Sequence, residues 1–134
     1  MLDQLQTVFA SLQRNDVKYV VIGGIAAVLY GVPRATFDLD ILIEPTVENA
    51  QRLLDALLDL KFGTAEMTNA EEVAAMEITI FTDRVRLDVQ TATPGLTFEN
   101  AWANRVNMSY KDQSFYVISL DDLVRSKMAA GRDV

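Results

Sequence analysis

Residues 19–44 read YVVIGGIAAVLYGVPRATFDLDILIE. Tyr19-Val20-Val21-Ile22 is a continuous run of β-branched and aromatic residues, which predicts a short buried strand. Gly23 and Gly24 follow, then an apolar segment that ends at Gly31 and Pro33. This predicts a short helix entered through glycines and stopped by Gly31. Residues 37–43 alternate: Phe37, Leu39, Ile41 and Ile43 fall on one face, Asp38, Asp40 and Leu42 on the other. That is the period of a strand with its odd face in the core.

Outward from this stretch the pattern stays regular. Leu2, Leu5, Val8, Phe9 and Leu12 have helical spacing, and Asn15-Asp16 ends that helix. Pro45-Thr46 opens a second long helix, with Thr46 as N-cap and Leu53, Leu54, Leu57, Leu58 and Leu60 on its inner side. Residues 64–75 read as a loop with a helical turn. Met76, Ile78 and Ile80 alternate with polar neighbours, as do Val85, Leu87 and Val89. Asp83-Arg84 between them predicts a tight turn and an antiparallel hairpin. A short helix is expected over 98–104 and a last short strand over 115–118. Ser119 should cap a final helix, with Asp121 and Asp122 in its first turn and Lys127 in its last. The order α-β-α-β-α-β-β-α-β-α predicts an α/β (α+β) domain, a mixed β-sheet flanked by helices, as a single unit over residues 1–134.

Composition narrows the chemistry. The chain has 134 residues, of which 50% are hydrophobic and 23% charged, ordinary values for one globular domain. No apolar run approaches the roughly 20 residues of a membrane-spanning helix, and the first sixteen residues lack a basic leader, so a cytoplasmic protein is expected. Cysteine and histidine are both absent. Ser-His-Asp and Cys-His nucleophiles and imidazole or thiolate metal sites are thereby excluded, which leaves carboxylates and hard, oxygen-ligated cations such as Mg²⁺. The net charge is −7 and the twelve basic residues are scattered. No dense basic face is available to displace phosphate counterions, which argues against long nucleic acid as a partner. A nucleotide stays compatible, since a metal supplies the local positive charge.

Asp38 and Asp40 leave the same strand face, their backbones roughly 6–7 Å apart at a rise of about 3.3 Å per residue. Two like charges repel there and aspartate is a poor strand former, so the pair is expected to do something for which it is retained. A bridging divalent cation turns repulsion into binding. Asp88 lies on the polar face of the 85–89 strand and would bring a third carboxylate if the hairpin pairs beside residues 37–43. Three carboxylates can hold two Mg²⁺ ions about 4 Å apart, which clamp both oxygens of an in-line phosphoryl displacement. Glycines at the strand-to-helix turn let backbone N–H groups approach a phosphate, and positive φ is expected at Gly24.

The pattern Gly23-Gly24, thirteen residues, Asp38-Leu39-Asp40-Ile41, with Asp88 on a later strand, resembles the nucleotidyltransferase superfamily that includes DNA polymerase beta. Residues 21–44 are most similar to the minimal nucleotidyltransferases and to the AbiEii-like toxin nucleotidyltransferases of toxin–antitoxin pairs. SLDDLVRSKMAAGRDV, residues 119–134, resembles that group's closing helix. The resemblance implies the nucleotidyltransferase fold and transfer of a nucleoside monophosphate from an NTP to an acceptor, with pyrophosphate release. It implies Asp38, Asp40 and Asp88 as catalytic ligands of Mg²⁺ or Mn²⁺, Gly23 and Gly24 for phosphate, and Arg34, Thr36 and Lys127 for the triphosphate. It also implies an open catalytic sheet that needs a second wall, hence a homodimer or a partner protein.

Plainer readings stand beside these. Asp38 and Asp40 could be a solvated sheet face, Arg34 a loop residue, and Lys127 a partner of its helix dipole. Tyr30, Trp102 and Phe115 read as packing groups. An aspartyl-nucleophile phosphatase does not fit, because Leu42 stands where that motif carries Thr or Val. The rival from another class is a catalytically idle domain that keeps the fold as a protein-binding module of a toxin–antitoxin pair.

Overall fold

The structure, a computed structural model, describes residues 2–35 and 38–131. Its elements are α1 (Leu2–Arg14), β1 (Tyr19–Ile22), α2 (Gly23–Leu29), β2 (Asp38–Ile43), α3 (Val47–Asp59), a 3₁₀ turn (Gly63–Met67), α4 (Ala70–Ala75), β3 (Ile78–Thr82), β4 (Arg86–Gln90), α5 (Phe98–Ala103), β5 (Val106–Tyr110), β6 (Gln113–Val117) and α6 (Leu120–Ala129). The strands form one mixed sheet in the order β3-β4-β2-β1-β6-β5. β1 runs antiparallel to β2 and parallel to β6, β2 runs parallel to β4, and antiparallel hairpins add β3 and β5 as the two edges. The mixed sheet with flanking helices is as expected, with one strand, β5, that the alternation did not indicate.

Each element follows from its local chemistry. Leu5, Val8, Phe9 and Leu12 are the buried stripe of α1, and Asp16, at φ 58°, turns the chain into β1. All four residues of β1 are buried, which suits a strand in the middle of a sheet covered on both faces. On one face Phe9 of α1 stacks on Phe115 of β6 with ring centroids 4.2 Å apart, and α1 packs against α3. On the other, α2 lies on β1 and β2, and α5 and α6 extend that layer. Leu42 shares its face with the two aspartates yet is fully buried, because α2 packs on β2.

Thr46 caps α3 by accepting from Asn49 N at 3.2 Å, and Ser119 caps α6 by accepting from Asp122 N at 3.2 Å. Asn49 is itself buried. Its Oδ1 accepts from Lys18 N at 2.8 Å, and its Nδ2 donates to Lys18 O at 2.9 Å and to Glu44 O at 3.1 Å. One side chain thus satisfies the backbone that enters β1 and leaves β2, and so pins their pairing. Trp102 sits between Phe98 and Tyr116, and Tyr30 donates its hydroxyl to Ile118 O at 2.7 Å. These aromatic residues are packing groups, as their apolar settings indicated.

Candidate active site

Strand register decides where the carboxylates go. Asp40 on β2 stands beside Asp88 on β4, and Asp38 stands beside Arg86. The row through Asp40 runs from Ile22 on β1 to Ile80 on β3. Paired strands lie about 4.8 Å apart, so Asp40 and Asp88 project from one face as close neighbours. Their side chains are within hydrogen-bonding reach of each other. Burial above all, then the charge of Asp88 and their mutual hydrogen bond, then Asp38, push the Asp40 carboxyl up to about 7, against the opposing pull of Arg86.

Arg86 is a site residue that the motif reading passed over. Its Nε donates to Asp88 Oδ1 at 2.9 Å and its Nη2 to Asp88 Oδ2 at 3.4 Å. The same Nε stands 3.9 Å from Asp38 Oδ2. The guanidinium therefore lies between Asp38 and Asp88. Among the described residues, no three acidic side chains are gathered as a metal-holding group in this arrangement. Full convergence of Asp38, Asp40 and Asp88 was the expectation; Asp40 and Asp88 do meet, and Asp38 is paired off through Arg86. Alternation along β4 had already put Arg86 and Asp88 on one face, and the signal for Arg86 was there.

Beside Asp40 opens a cleft of about 300 Å³ whose wall includes Gly23, Gly24, Arg34 and Lys127. Four residues expected to hold phosphate thus share one cavity with one of the carboxylates. Thr36 lies outside the described residues. Lys127 comes from the last turn of α6 and is only 9% exposed. Gln90, Thr93 and Ser126 also border the cleft, and none of them stood out in the sequence. Thr93 and Pro94 are held there because Gly95 lets the loop lie against α6; a Cβ on Gly95 would come within 2.8 Å of Ala129 Cβ.

The positive φ of the glycine turn falls on Gly23, at 69°, one residue before the expected position. A Cβ on Gly23 would run into Asp40 Oδ2 and stand 3.1 Å from Asp40 Cγ. The first glycine is thus where the turn needs the conformation and where the Asp40 carboxylate needs the space.

The donor set fits a hard divalent cation. Asp40 and Asp88 offer carboxylate oxygens side by side, and the repulsion that helps to push the Asp40 carboxyl up is one that a cation would relieve.

A mixed sheet with this carboxylate row, the glycine turn and the adjoining cleft has the nucleotidyltransferase architecture. A protein from Thermotoga maritima, described with its crystal structure as a "putative nucleotidyltransferase", superposes with a TM-score of 0.64 over 97% of this chain and 84% of its own, at 16% identity. At that identity the likeness speaks for the fold. The family described as "nucleotidyltransferase of unknown function (DUF6036)" matches residues 2–134, and the chain belongs to it. No curated protein sequence matches the chain. Among the described residues no helix is long and apolar enough to cross a membrane.

Proposed function

We propose that the protein is a Mg²⁺- or Mn²⁺-dependent nucleotidyltransferase that moves a nucleoside monophosphate from an NTP to an acceptor. The observation that carries this reading is that Asp40, which stands beside Asp88 across the β2–β4 ladder, borders a cleft that also contains Gly23, Gly24, Arg34 and Lys127. Asp40 and Asp88, joined by Asp38, would hold the metal. The metal, when bound, supplies positive charge against the α-phosphate and the leaving pyrophosphate. Gly23 and Gly24 leave room for the triphosphate to lie against the backbone, and Arg34 and Lys127 offset its charge. An acceptor oxygen bonds to the α-phosphorus, the bond from that phosphorus to the bridging oxygen breaks, and pyrophosphate leaves with the electron pair. The acceptor's proton passes to the carboxylate row. On this reading the chain works in the cytoplasm, as one of the minimal or AbiEii-like group of toxin–antitoxin systems.

Binding tests the reading first. Mn²⁺ should bind by titration calorimetry, and Mg²⁺-NTP should raise the melting temperature, by the equivalent of about 2.7 kcal/mol at a hundred times its Kd. No Mn²⁺ binding, or unchanged affinity after Asp38→Asn with Asp40→Asn, would remove the site. Labelled NTPs with cell lysate would then identify the acceptor. The ion pair of Arg86 with Asp88 favours the second reading, an idle domain, and failure of every NTP to shift the melting temperature would support it.

We also propose that a second copy or a partner protein completes the cleft. Ile78 and Ile80, on edge strand β3, point to the carboxylate face and are 49% and 50% exposed. Half-exposed isoleucines beside a polar site are the kind of surface that association covers. Light scattering should show a dimer, or a tight complex when the native partner is present. A clean monomer that is fully active at high micromolar concentration would exclude the need for a second wall.

A further inference from the structure

The sheet carries its own cation into the carboxylate site. Arg86 is fixed there by register: it pairs with Asp38 across the β2–β4 ladder and precedes Asp88 by two residues on the same face. Its guanidinium takes both oxygens of Asp88 and reaches toward Asp38. No aromatic stacking partner is found for it among the described residues, and its side chain is 46% exposed. Nothing in the core depends on where the guanidinium lies.

A carboxylate has about four lone-pair positions. Arg86 occupies one on each oxygen of Asp88, and Asp40 crowds the same group from β2. A divalent ion needs those oxygens at about 2.0–2.1 Å in near-octahedral geometry, and with Asp40 crowding the positions that remain it competes with the guanidinium for Asp88. It also needs Asp38, which the guanidinium separates from Asp88. We propose, resting on the metal-dependent reading above, that Arg86 is a resident counter-cation that a divalent ion displaces, and that its departure lets Asp38 close on Asp40 and Asp88. Metal-free protein is thereby kept from presenting three unscreened carboxylates on one face. Exposed ion pairs are weak, so Arg86 gives way to a divalent ion readily and acts as a modest competitor.

The test begins with the unaltered protein. The Nε–H of Arg86, followed by ¹⁵N NMR, should be protected from solvent exchange without metal and should lose that protection as Mg²⁺ saturates the site. An Nε–H that keeps its shift and protection at saturation overturns the displacement. Calorimetry with Mn²⁺ on variants gives the second readout. Arg86→Gln should bind about two- to fivefold more tightly, the range an exposed ion pair supports. Arg86→Lys retains the charge and loses the two-pronged grip; it should also bind more tightly, whereas charge repulsion at a distance would leave it unchanged. Equal or weaker binding by both variants would mean that Arg86 stays and positions Asp88, and would overturn the proposal alone. If neither the wild type nor any variant binds Mn²⁺, the metal site itself fails, and the nucleotidyltransferase reading fails with it.

Discussion

Asp40→Asn is expected to cut nucleotidyl transfer about a thousandfold or more while making the metal-free protein more stable at pH 8. The first half follows from ligation. An amide oxygen is a poor substitute for a carboxylate on a hard cation, and the charge stabilisation a metal provides is worth several kcal/mol, each 1.36 kcal/mol being a factor of ten. The second half follows from the shift of Asp40 to about 7 from an ordinary 3.8. The folded state holds a proton on Asp40 that the unfolded chain has already released. The contribution of that proton to stability is present in full below pH 3.8 and is lost as the pH rises through about 7. Asn does not titrate. The melting temperature of the wild type in EDTA should therefore fall relative to that of Asp40→Asn between pH 5 and pH 8. The same proton competes with metal, and Mn²⁺ affinity of the wild type should weaken about tenfold per pH unit below 7. Parallel melting curves for the two proteins across that range would show that Asp40 titrates normally and that the carboxylates are not pressed together.

Gly23→Ala, which replaces one hydrogen with a methyl group, should disturb both the turn and the Asp40 carboxylate. Alanine in a left-handed conformation costs about 1–3 kcal/mol, and here the new methyl group also strikes Asp40 Oδ2. The turn and the carboxylate cannot both stay where they are. If Asp40 yields, and if it holds the metal as proposed, a displacement of about 1 Å can cost a hundredfold in rate. The expected result is a lower urea midpoint together with weakened Mn²⁺ binding. Gly24→Val gives the contrast, since it should impair NTP binding by filling the cleft while Mn²⁺ still binds. A Gly23→Ala protein that matches the wild type in both stability and Mn²⁺ affinity would mean that the close approach of Gly23 to Asp40 is unimportant.

The central part of the fold is legible in the residues because periodicity and burial agree there. The run at 19–22, the alternation at 37–43 and 85–89, and the caps Thr46 and Ser119 each lead to an element observed, Phe37 itself lying outside the described residues. β5 escapes the same reasoning because Val106–Tyr110 is an edge strand whose residues are mostly exposed, so no apolar face had to be encoded. Its turn is equally quiet: Lys111 and Asp112 take φ of 47° and 66° without the glycine or asparagine that usually marks such a turn. In the site, the face shared by Asp38, Asp40 and Asp88 could be read from alternation. Alternation also sets Arg86 beside Asp88; what could not be read was its place opposite Asp38, which only strand register gives. The placement of the positive φ on Gly23 likewise depends on where β1 ends, a boundary that sequence fixes only to within a residue or two.

The parallel pairing of β1 with β6 has a consequence for how the chain is made. β1 leaves the ribosome before any of its partner strands, and β2 and β4 can add to one side of it soon afterwards. Its other side stays open until Val117 arrives to pair with Val21. Through that interval a fully apolar strand presents an unpaired edge, the feature most apt to join another nascent chain. Closing so long a loop is also the slow kind of step in folding. The segment that ends the wait leads directly into α6, which carries Lys127 to the cleft. The sheet and the site are therefore finished in a single late event.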